Sequence, residues 1–298
     1  MLLDAASVWS KAWPILFAIL FFGVIILIHE LGHFTVAKLS GIKVNEFAIG
    51  MGPKLLSFGK GETKYSLRLI PMGGYVQMEG EDEASEDERA FNQKPVWKRF
   101  LVVIAGAVMN IILGLVLVAI LLTQQNLIGT TQIAGFHENA SSQSSGLQEG
   151  DVITHINGTS VWSDRDISFL MARDRDGVID FTVKRDGQKT ELKNVKFDTR
   201  EVDGQTVITF DFIIIGENKT FWNVLKTSFL ETASMARLVW LSLFDLVTGR
   251  FGLSDLAGPV GTVSVIAEAT TSGGFLNALS LMAFITINIG VFNLLPIP

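Results

Sequence analysis

The sequence has no cysteine, only four histidines and few charged residues, 18% against 48% hydrophobic residues. Without cysteine the chain can form no disulfide bond and offers no thiolate to a metal, so any metal ligands must be His, Asp or Glu. The formal net charge of -6 argues against nucleic acid as a partner. So high an apolar content is unusual for a soluble protein and points to membrane spans.

Three long apolar runs predict membrane-spanning helices. Trp13–Ile28 leads without a break into ionisable residues and lacks the small residues of a signal-peptide cleavage site, so we interpret it as a retained helix. Phe100–Thr123 has about the length that a helix needs to cross roughly 30 Å of hydrocarbon. Ala278–Ile297 is uncharged and is interrupted mainly by Asn288 and Asn293. We expect all three runs to span the membrane.

Positive charge is concentrated between the first two runs, from Lys38 to Arg99. Because cytoplasmic loops carry an excess of Lys and Arg, this segment is predicted to face the cytoplasm. The N-terminus and the segment Gln124–Lys219 are then predicted to face outside. The cell membrane is therefore the expected location, with a sizeable polar segment on its outer side.

The outer segment has the pattern of one small soluble domain. Gly146–Gly158 combines a turn, a strand of alternating apolar residues and an Asn-Gly turn. Ile179–Gln188 gives a second alternating strand that ends in an Asp-Gly hairpin signal. Taken together, these residues resemble a PDZ domain that covers about Leu127–Gly216.

Phe221–Val247 is apolar enough to suggest a fourth span, but it carries charged residues that include Glu231 and Arg237. Its polar positions recur mostly every three or four residues, so they form one stripe of a helix. We predict a helix that lies on the membrane or against another apolar surface. A further crossing would also place the end of the third run on the side opposite His29 and His33.

The chemically informative segment is His29-Glu30-Leu31-Gly32-His33, at the end of the first run. Residues four apart share one face of a helix, so both imidazoles can reach one Zn²⁺, and Glu30 is placed as general base toward a metal-bound water. A chance pairing of histidines is disfavoured, because three ionisable residues at membrane depth cost several kcal/mol unless they bind something.

Six motifs in order carry a resemblance to the site-2 protease family, in its bacterial branch of regulator-of-sigma-factor proteases. They are His29–Lys38, Ile70–Val76, Ala90–Phe100, Ala105-Gly106 with Met109-Asn110, Gly258–Gly261 and Asn293–Pro298. The resemblance implies an intramembrane zinc metalloprotease that hydrolyses peptide bonds in membrane-spanning segments of other proteins. Anti-sigma factors, signal-peptide remnants or pheromone precursors are the implied substrates.

The resemblance also implies residues that contact the substrate. Lys64–Ile70 and the strand that starts at Tyr75 are predicted to form a membrane-embedded β-hairpin around Gly73 and Gly74, whose edge receives the substrate. Asn293 is implied to contact the substrate backbone, with helix packing as the alternative. The third zinc ligand is expected to be the Asp of a Leu-Asp-Gly motif that follows Pro298.

One position departs from the family pattern. The family usually has Pro where Ala107 stands in this chain. The small-residue spacing of Gly106, Asn110 and Gly114 is retained and favours close helix packing. We therefore expect the change to be tolerated.

The predicted fold is a multi-pass α-helical membrane protein with an inserted small mixed β/α PDZ domain. Residues 1–123 hold the first two membrane helices and the cytoplasmic β-hairpin, 124–216 the PDZ domain, and 217–298 the amphipathic helix and third membrane helix. Expected partners are single-pass membrane proteins, the lipid bilayer and peptide C-termini at the PDZ domain. Two alternatives are an inactive adaptor and an ion transporter, although a transporter would predict internal repeats, which we do not find.

Overall fold

The computed structural model describes residues 5–202, 205–248 and 274–295. Contacts divide the chain into a helical unit, Met1–Leu121 with Met235–Pro298, and a β unit, Leu122–Ser234. Two stretches of the family motifs, Gly258–Gly261 and Pro296–Pro298, lie outside the described residues.

Within the described ranges the chain forms six α-helices and ten β-strands. The helices are α1 (Ala5–Leu39), α2 (Val96–Gln124), α3 (Ser141–Ser144), α4 (Asp164–Ala172), α5 (Phe221–Val247) and α6 (Gly274–Asn293). The strands are β1 (Val44–Phe58), β2 (Lys64–Met78), β3 (Leu127–Phe136), β4 (Val152–Ile156), β5 (Thr159–Ser160), β6 (Val178–Arg185), β7 (Gln188–Lys196), β8 (Thr199–Val202), β9 (Gln205–Ile208) and β10 (Phe212–Asn218).

Three described helices are long and apolar enough to cross a membrane: Leu16–Leu39 within α1, Val96–Gln124 and Gly274–Asn293. They match the three predicted runs. The first continues well past the predicted end at Ile28, so the His29–His33 segment belongs to the same unbroken helix. The two histidines and Glu30 therefore lie on a helix and not on a loop.

β1 and β2 form an antiparallel hairpin that is folded back on itself. Phe47 lies opposite both Val76 and Tyr65, whereas Phe58 near the end of β1 lies opposite Tyr65 as well. This double pairing requires a sharp bend in each strand. Gly50 supplies one bend with a φ of 85°, and a Cβ there would lie 2.6 Å from the Ile70 carbonyl oxygen, so only glycine fits.

The inner part of this hairpin packs against α1 through a shared apolar core. Phe34 of α1 meets Phe47 of β1 with ring centroids 5.2 Å apart. The buried members of the core are Ala37, Ile42, Val44, Phe47, Val76, Met78 and Val102. The core holds β2 beside the part of α1 that carries the two histidines.

A charged cluster crosses the hairpin at Glu46, which is only 7% exposed. Lys54 Nζ donates to one carboxylate oxygen at 2.9 Å, and Arg68 Nη2 lies 3.3 Å from the other. Burial by itself would raise the pKa of Glu46, but the neighbouring Ser66 hydroxyl together with Lys54, Tyr75 and Arg68 outweighs it and lowers the pKa to about 2. The charge therefore stabilises the hairpin above the ordinary pKa of 4.5, and this contribution is lost as the pH falls toward 2.

Arg68→Met should destabilise the hairpin, because it leaves the buried Glu46 carboxylate with only the half-exposed Lys54 as a charge partner. The expected cost is about 3 kcal/mol. Hydrogen exchange of the β1 and β2 amides, followed by mass spectrometry, measures the lost protection. Lys60→Met, at an exposed position in the loop between the strands, is the matched control and should leave protection unchanged. Equal protection in both variants would contradict a structural role for the cluster.

The β unit is built on one antiparallel sheet in the order β10-β3-β4-β6-β7, with β5 paired to β4. Its turns use the residues that the sequence indicates: Asn157 and Asp186 have positive φ values of 45° and 50°. In the first turn of α4, the Asp166 carboxylate accepts a hydrogen bond from the backbone N–H of Ser163 at 3.2 Å. The two strands expected from the alternation of apolar residues are thus present as β4 and β6.

The polar stripe of α5 is buried, and two of its residues contact α4. Glu231 is 3% exposed and accepts a hydrogen bond from Arg165 Nε of α4 at 2.7 Å, and the Ser234 hydroxyl donates to Asp166. The exposed side chains of α5 are mostly large and apolar: Phe221, Trp222, Leu225, Phe229, Trp240 and Phe244. The segment is helical as predicted, and in the part of the chain that the structure describes its exposed side is the apolar one.

Candidate metal centre

α1 places His29 and His33 one helical turn apart on the same face. Their rings are 4.8 Å apart at an interplanar angle of 77°. The two Nε2 atoms point toward each other at 3.2 Å. Each side chain is half-buried. The predicted pair of ligands therefore converges through the same nitrogen of each ring.

α2 approaches α1 closely at this level because both helices have small residues there. A Cβ on Gly32 of α1 would lie 2.5 Å from the Ala105 carbonyl oxygen of α2. A Cβ on Gly106 of α2 would lie 2.6 Å from His29 Nε2 and even nearer to His33 Nε2. The backbone of α2 thus forms one wall of the histidine site, and any side chain at position 106 would enter the space that the two nitrogens face.

The outer nitrogens of both rings are held by α2. His33 Nδ1 lies 2.7 Å from the Val102 carbonyl oxygen. His29 Nδ1 lies 3.2 Å from Asn110 Nδ2, and Asn110 is fully buried. Contacts of this kind orient histidine ligands in metal sites. The sequence pattern predicts Asn110 only as a packing position within a family motif; the signal for this contact is a polar residue within an apolar span.

The geometry fits zinc. Two nitrogens that each lie about 2.0–2.1 Å from a tetrahedral zinc are separated by about 3.3 Å, close to the 3.2 Å observed here. Among the residues that the structure describes, no group of three or more His, Asp or Glu side chains could hold a metal. The two histidines would therefore supply two ligands of a set that normally has three from the protein.

Glu30 lies beside the bent strand β2. A Cβ on Gly74 would lie 3.0 Å from Glu30 Cγ and 3.6 Å from Ile26 Cγ2. Gly73, with a φ of 91°, makes the preceding bend. The structure therefore brings the Gly73-Gly74 backbone next to the candidate general base.

The side chain of Tyr75 is engaged elsewhere. Arg68 donates a hydrogen bond to its hydroxyl and lies 4.9 Å from its ring centroid. Burial and the adjacent Glu46 carboxylate raise the pKa of Tyr75. The Tyr75 side chain thus belongs to the charged cluster of the hairpin. The Tyr75 backbone continues the strand from Gly74.

Asn293 is exposed at the end of α6. α6 runs antiparallel to α2: a Cβ on Gly114 would meet Ile287, and one on Gly290 would lie 2.9 Å from the Ala107 carbonyl oxygen. Extension of this register by one turn places Asn293 level with Gly106. The end of α6 therefore reaches the level of the histidine pair along α2.

Comparisons with known proteins agree on one family. The model of peptidase family M50 matches residues 17–298. A protein of Clostridium acetobutylicum whose name classes it among the zinc metalloproteases is 42% identical over 285 residues, 95% of this chain and 83% of the relative. The zinc metalloprotease RasP of Bacillus licheniformis is 30% identical over 370 residues, 94% of this chain and 86% of the relative. The regulator of sigma-W protease RasP of Bacillus subtilis is 28% identical over 362 residues, 94% and 85% of the two chains.

Apolar helices of spanning length and a His-Glu-x-x-His segment within one of them define the class of membrane-embedded zinc metalloproteases. The chain belongs to peptidase family M50, the site-2 protease family. It is an intramembrane zinc metalloprotease, and Zn²⁺ is its cofactor. The relatives favour this enzyme over the inactive adaptor.

Gly106→Ala should reduce zinc binding strongly, because the added methyl group enters the space between the two Nε2 atoms. Elemental analysis of the purified protein, continued through the expected Leu-Asp-Gly motif, measures zinc per chain. Gly114→Ala is the matched control, since its methyl group meets Ile287 of α6 and no histidine. The control should keep its zinc. Equal zinc content in both variants would mean that the nitrogens do not face a metal across Gly106.

Proposed function

We propose that His29 and His33 bind the catalytic zinc through their Nε2 atoms and that Glu30 is the general base. The observation that carries this proposal is the 3.2 Å approach of the two Nε2 atoms on a helix of spanning length. Zinc held there would acidify a water molecule and polarise the carbonyl of the scissile bond. Glu30, the residue next to His29, would take a proton from the water as its oxygen bonds to the carbonyl carbon, and would deliver that proton to the amine that leaves when the peptide C–N bond breaks.

The third zinc ligand is proposed to be the Asp of a Leu-Asp-Gly motif after Pro298. The register between α2 and α6 supports this assignment. This register brings the end of α6 level with Gly106. Because glycine has no side chain, space remains beside the Nε2 atoms of the two imidazoles. A ligand that follows α6 closely would therefore enter the site from a third direction.

The substrate is proposed to bind along β2 at Gly73, Gly74 and the backbone of Tyr75, with Asn293 as a further contact. A helix buries its amides in its own hydrogen bonds, so a membrane-spanning substrate must be unwound before cleavage. An exposed strand edge can hold the unwound segment by backbone hydrogen bonds. The closeness of Gly74 to Glu30 would place that segment beside the general base.

The substrates are proposed to be single-pass membrane proteins cleaved within or near the end of a membrane-spanning helix, such as anti-sigma factors or signal-peptide remnants. The B. subtilis relative is named a regulator of sigma-W protease, and this name supports the first class. We also propose that residues 124–216 form a PDZ domain. That domain either binds newly exposed peptide C-termini or, together with α5, excludes uncut substrates.

The site is proposed to open to the cytoplasmic side of the cell membrane, with the PDZ domain outside and α5 lying along the membrane surface. The Lys and Arg residues between α1 and α2 support this orientation. The aromatic residues on the uncovered side of α5 support its contact with the interface, where Trp is enriched.

Glu30→Gln should lower cleavage of a model membrane-spanning substrate by about 10²-fold or more, because the general base is lost. Its zinc content should stay unchanged, since both histidines remain. His29→Ala should lose zinc and cleavage together. The measurements are a cleavage assay in lipid and elemental analysis on the same samples, again with protein that continues through Leu-Asp-Gly. Undiminished cleavage by Glu30→Gln would remove Glu30 from the mechanism.

Because the chain has no cysteine, single cysteines report sidedness cleanly. Ala84→Cys, in the exposed loop after β2, should be protected from a membrane-impermeant thiol reagent in intact cells. Gln188→Cys, exposed at the start of β7, should be labelled. Both should react after the membrane is permeabilised, which controls for access. Equal labelling of the two sites in intact cells would contradict the proposed topology.

A further inference from the structure

We propose that Arg68 is a positioning residue that determines which peptide bond of the substrate is cut, because it holds the glycine-rich part of β2 in one register beside Glu30. This inference rests on the proposed binding of the substrate along β2. Arg68 lies in the first half of β2, and its side chain is only 18% exposed. It acts through the strand that it holds and not by contact with the scissile bond.

The guanidinium of Arg68 contacts three other stretches of the folded hairpin. Its Nη1 donates to the Gly52 carbonyl oxygen at 2.8 Å. Its Nη2 lies 3.3 Å from Glu46 Oε1 and donates to the Tyr75 hydroxyl. Glu46 and Gly52 lie on opposite sides of the bend at Gly50 in β1, and Tyr75 lies in the second half of β2. One side chain therefore joins the four stretches that the double pairing of the hairpin brings together.

The Gly73-Gly74 part of β2 needs such a contact, because glycine-rich strands specify their register weakly. These two residues have no side chain that could pack against a neighbour. Val76 anchors the following part of the strand in the apolar core. Tyr75 lies between the glycines and that anchor, with its side chain on the opposite face from Val76. The contact between Arg68 and Tyr75 therefore extends the fixed part of the strand up to the glycines.

A shift of the glycines would change the position of the strand relative to the candidate general base. A Cβ on Gly74 would lie 3.0 Å from Glu30 Cγ and 3.0 Å from the Ala48 carbonyl oxygen, so the strand fits closely between α1 and β1. A substrate segment that pairs with β2 takes its register from this strand, and the register decides which peptide carbonyl lies beside Glu30. Registers that keep both the hydrogen-bond pattern and the faces of the side chains differ by two residues.

The first test maps the bonds cut in a model membrane-spanning substrate, by mass spectrometry of the products, with protein that continues through Leu-Asp-Gly. Tyr75→Phe removes only the hydroxyl that Arg68 holds, so Glu46 keeps its charge partners. Arg68→Met removes all three contacts. Both variants should cut at new bonds two residues from the wild-type bond. The kcat at the original bond should fall by up to about 10²-fold, and the loss should be larger in Arg68→Met.

Two controls separate positioning from a loss of stability. Val44→Ala truncates a fully buried side chain in the core of the same hairpin, and it should lower the yield of active protein without a new cleavage site. Lys60→Gln, at an exposed position between the strands, should cut as the wild type does. Unchanged cleavage sites in both Tyr75→Phe and Arg68→Met would overturn the inference, as would the same new bonds in Val44→Ala.

The second test needs no cleavage. In a Glu30→Gln background, Gln77→Cys places a single cysteine at an exposed position of β2. Substrates with single cysteines at successive positions then show by disulfide formation which residue lies beside it. One substrate position should dominate, and Arg68→Met should spread the cross-links to positions two residues away. The same single position with and without Arg68 would overturn this inference alone, whereas no cross-link at any position would overturn the proposed binding along β2 as well.

Discussion

The proposed metal centre depends on one steric constraint, the approach of the α2 backbone to the side chains of α1. This approach exists because neither Gly32 nor Gly106 carries a Cβ; either one would collide with the opposing helix. Gly106 also leaves open the space that the two imidazole nitrogens face. The same helix then supplies the carbonyl and the amide that hold the outer nitrogens of the rings. The close approach of α2 to α1 thus determines both the packing of the two helices and the geometry of the proposed metal site.

A second close approach connects this centre to the hairpin. Gly74 lies against Glu30, and the charged cluster around Glu46 stabilises the strand that carries it. Because Tyr75 is part of that cluster, its side chain cannot also serve as a free recognition group. In the proposed binding mode, the strand would therefore offer mainly its backbone to an unwound substrate. Backbone pairing depends little on side-chain identity.

Local patterns predicted much of this structure. The three apolar runs, the strands β4 and β6 and the spacing of His29 and His33 all follow from periodicities of two or 3.6 residues. Periodicity does not report which side of an element is covered. The polar stripe of α5 was therefore visible in the sequence, but its burial against α4 through Glu231 was not. The hydrogen bond of Asn110 joins residues 81 positions apart in sequence, and only the crossing of two helices brings them together.

The departure at Ala107 shows how that crossing tolerates change. Gly290 of α6 approaches position 107 through the carbonyl oxygen, 2.9 Å from where a Cβ would lie. Alanine and proline present the same carbonyl group, so the contact between α2 and α6 does not depend on which of them is present. Alanine keeps a backbone N–H that proline lacks, and it can complete the helical hydrogen bonding inside the hydrocarbon, where an unmet carbonyl is costly. These two features support the expectation that alanine at position 107 is compatible with the packing of α2 against α6.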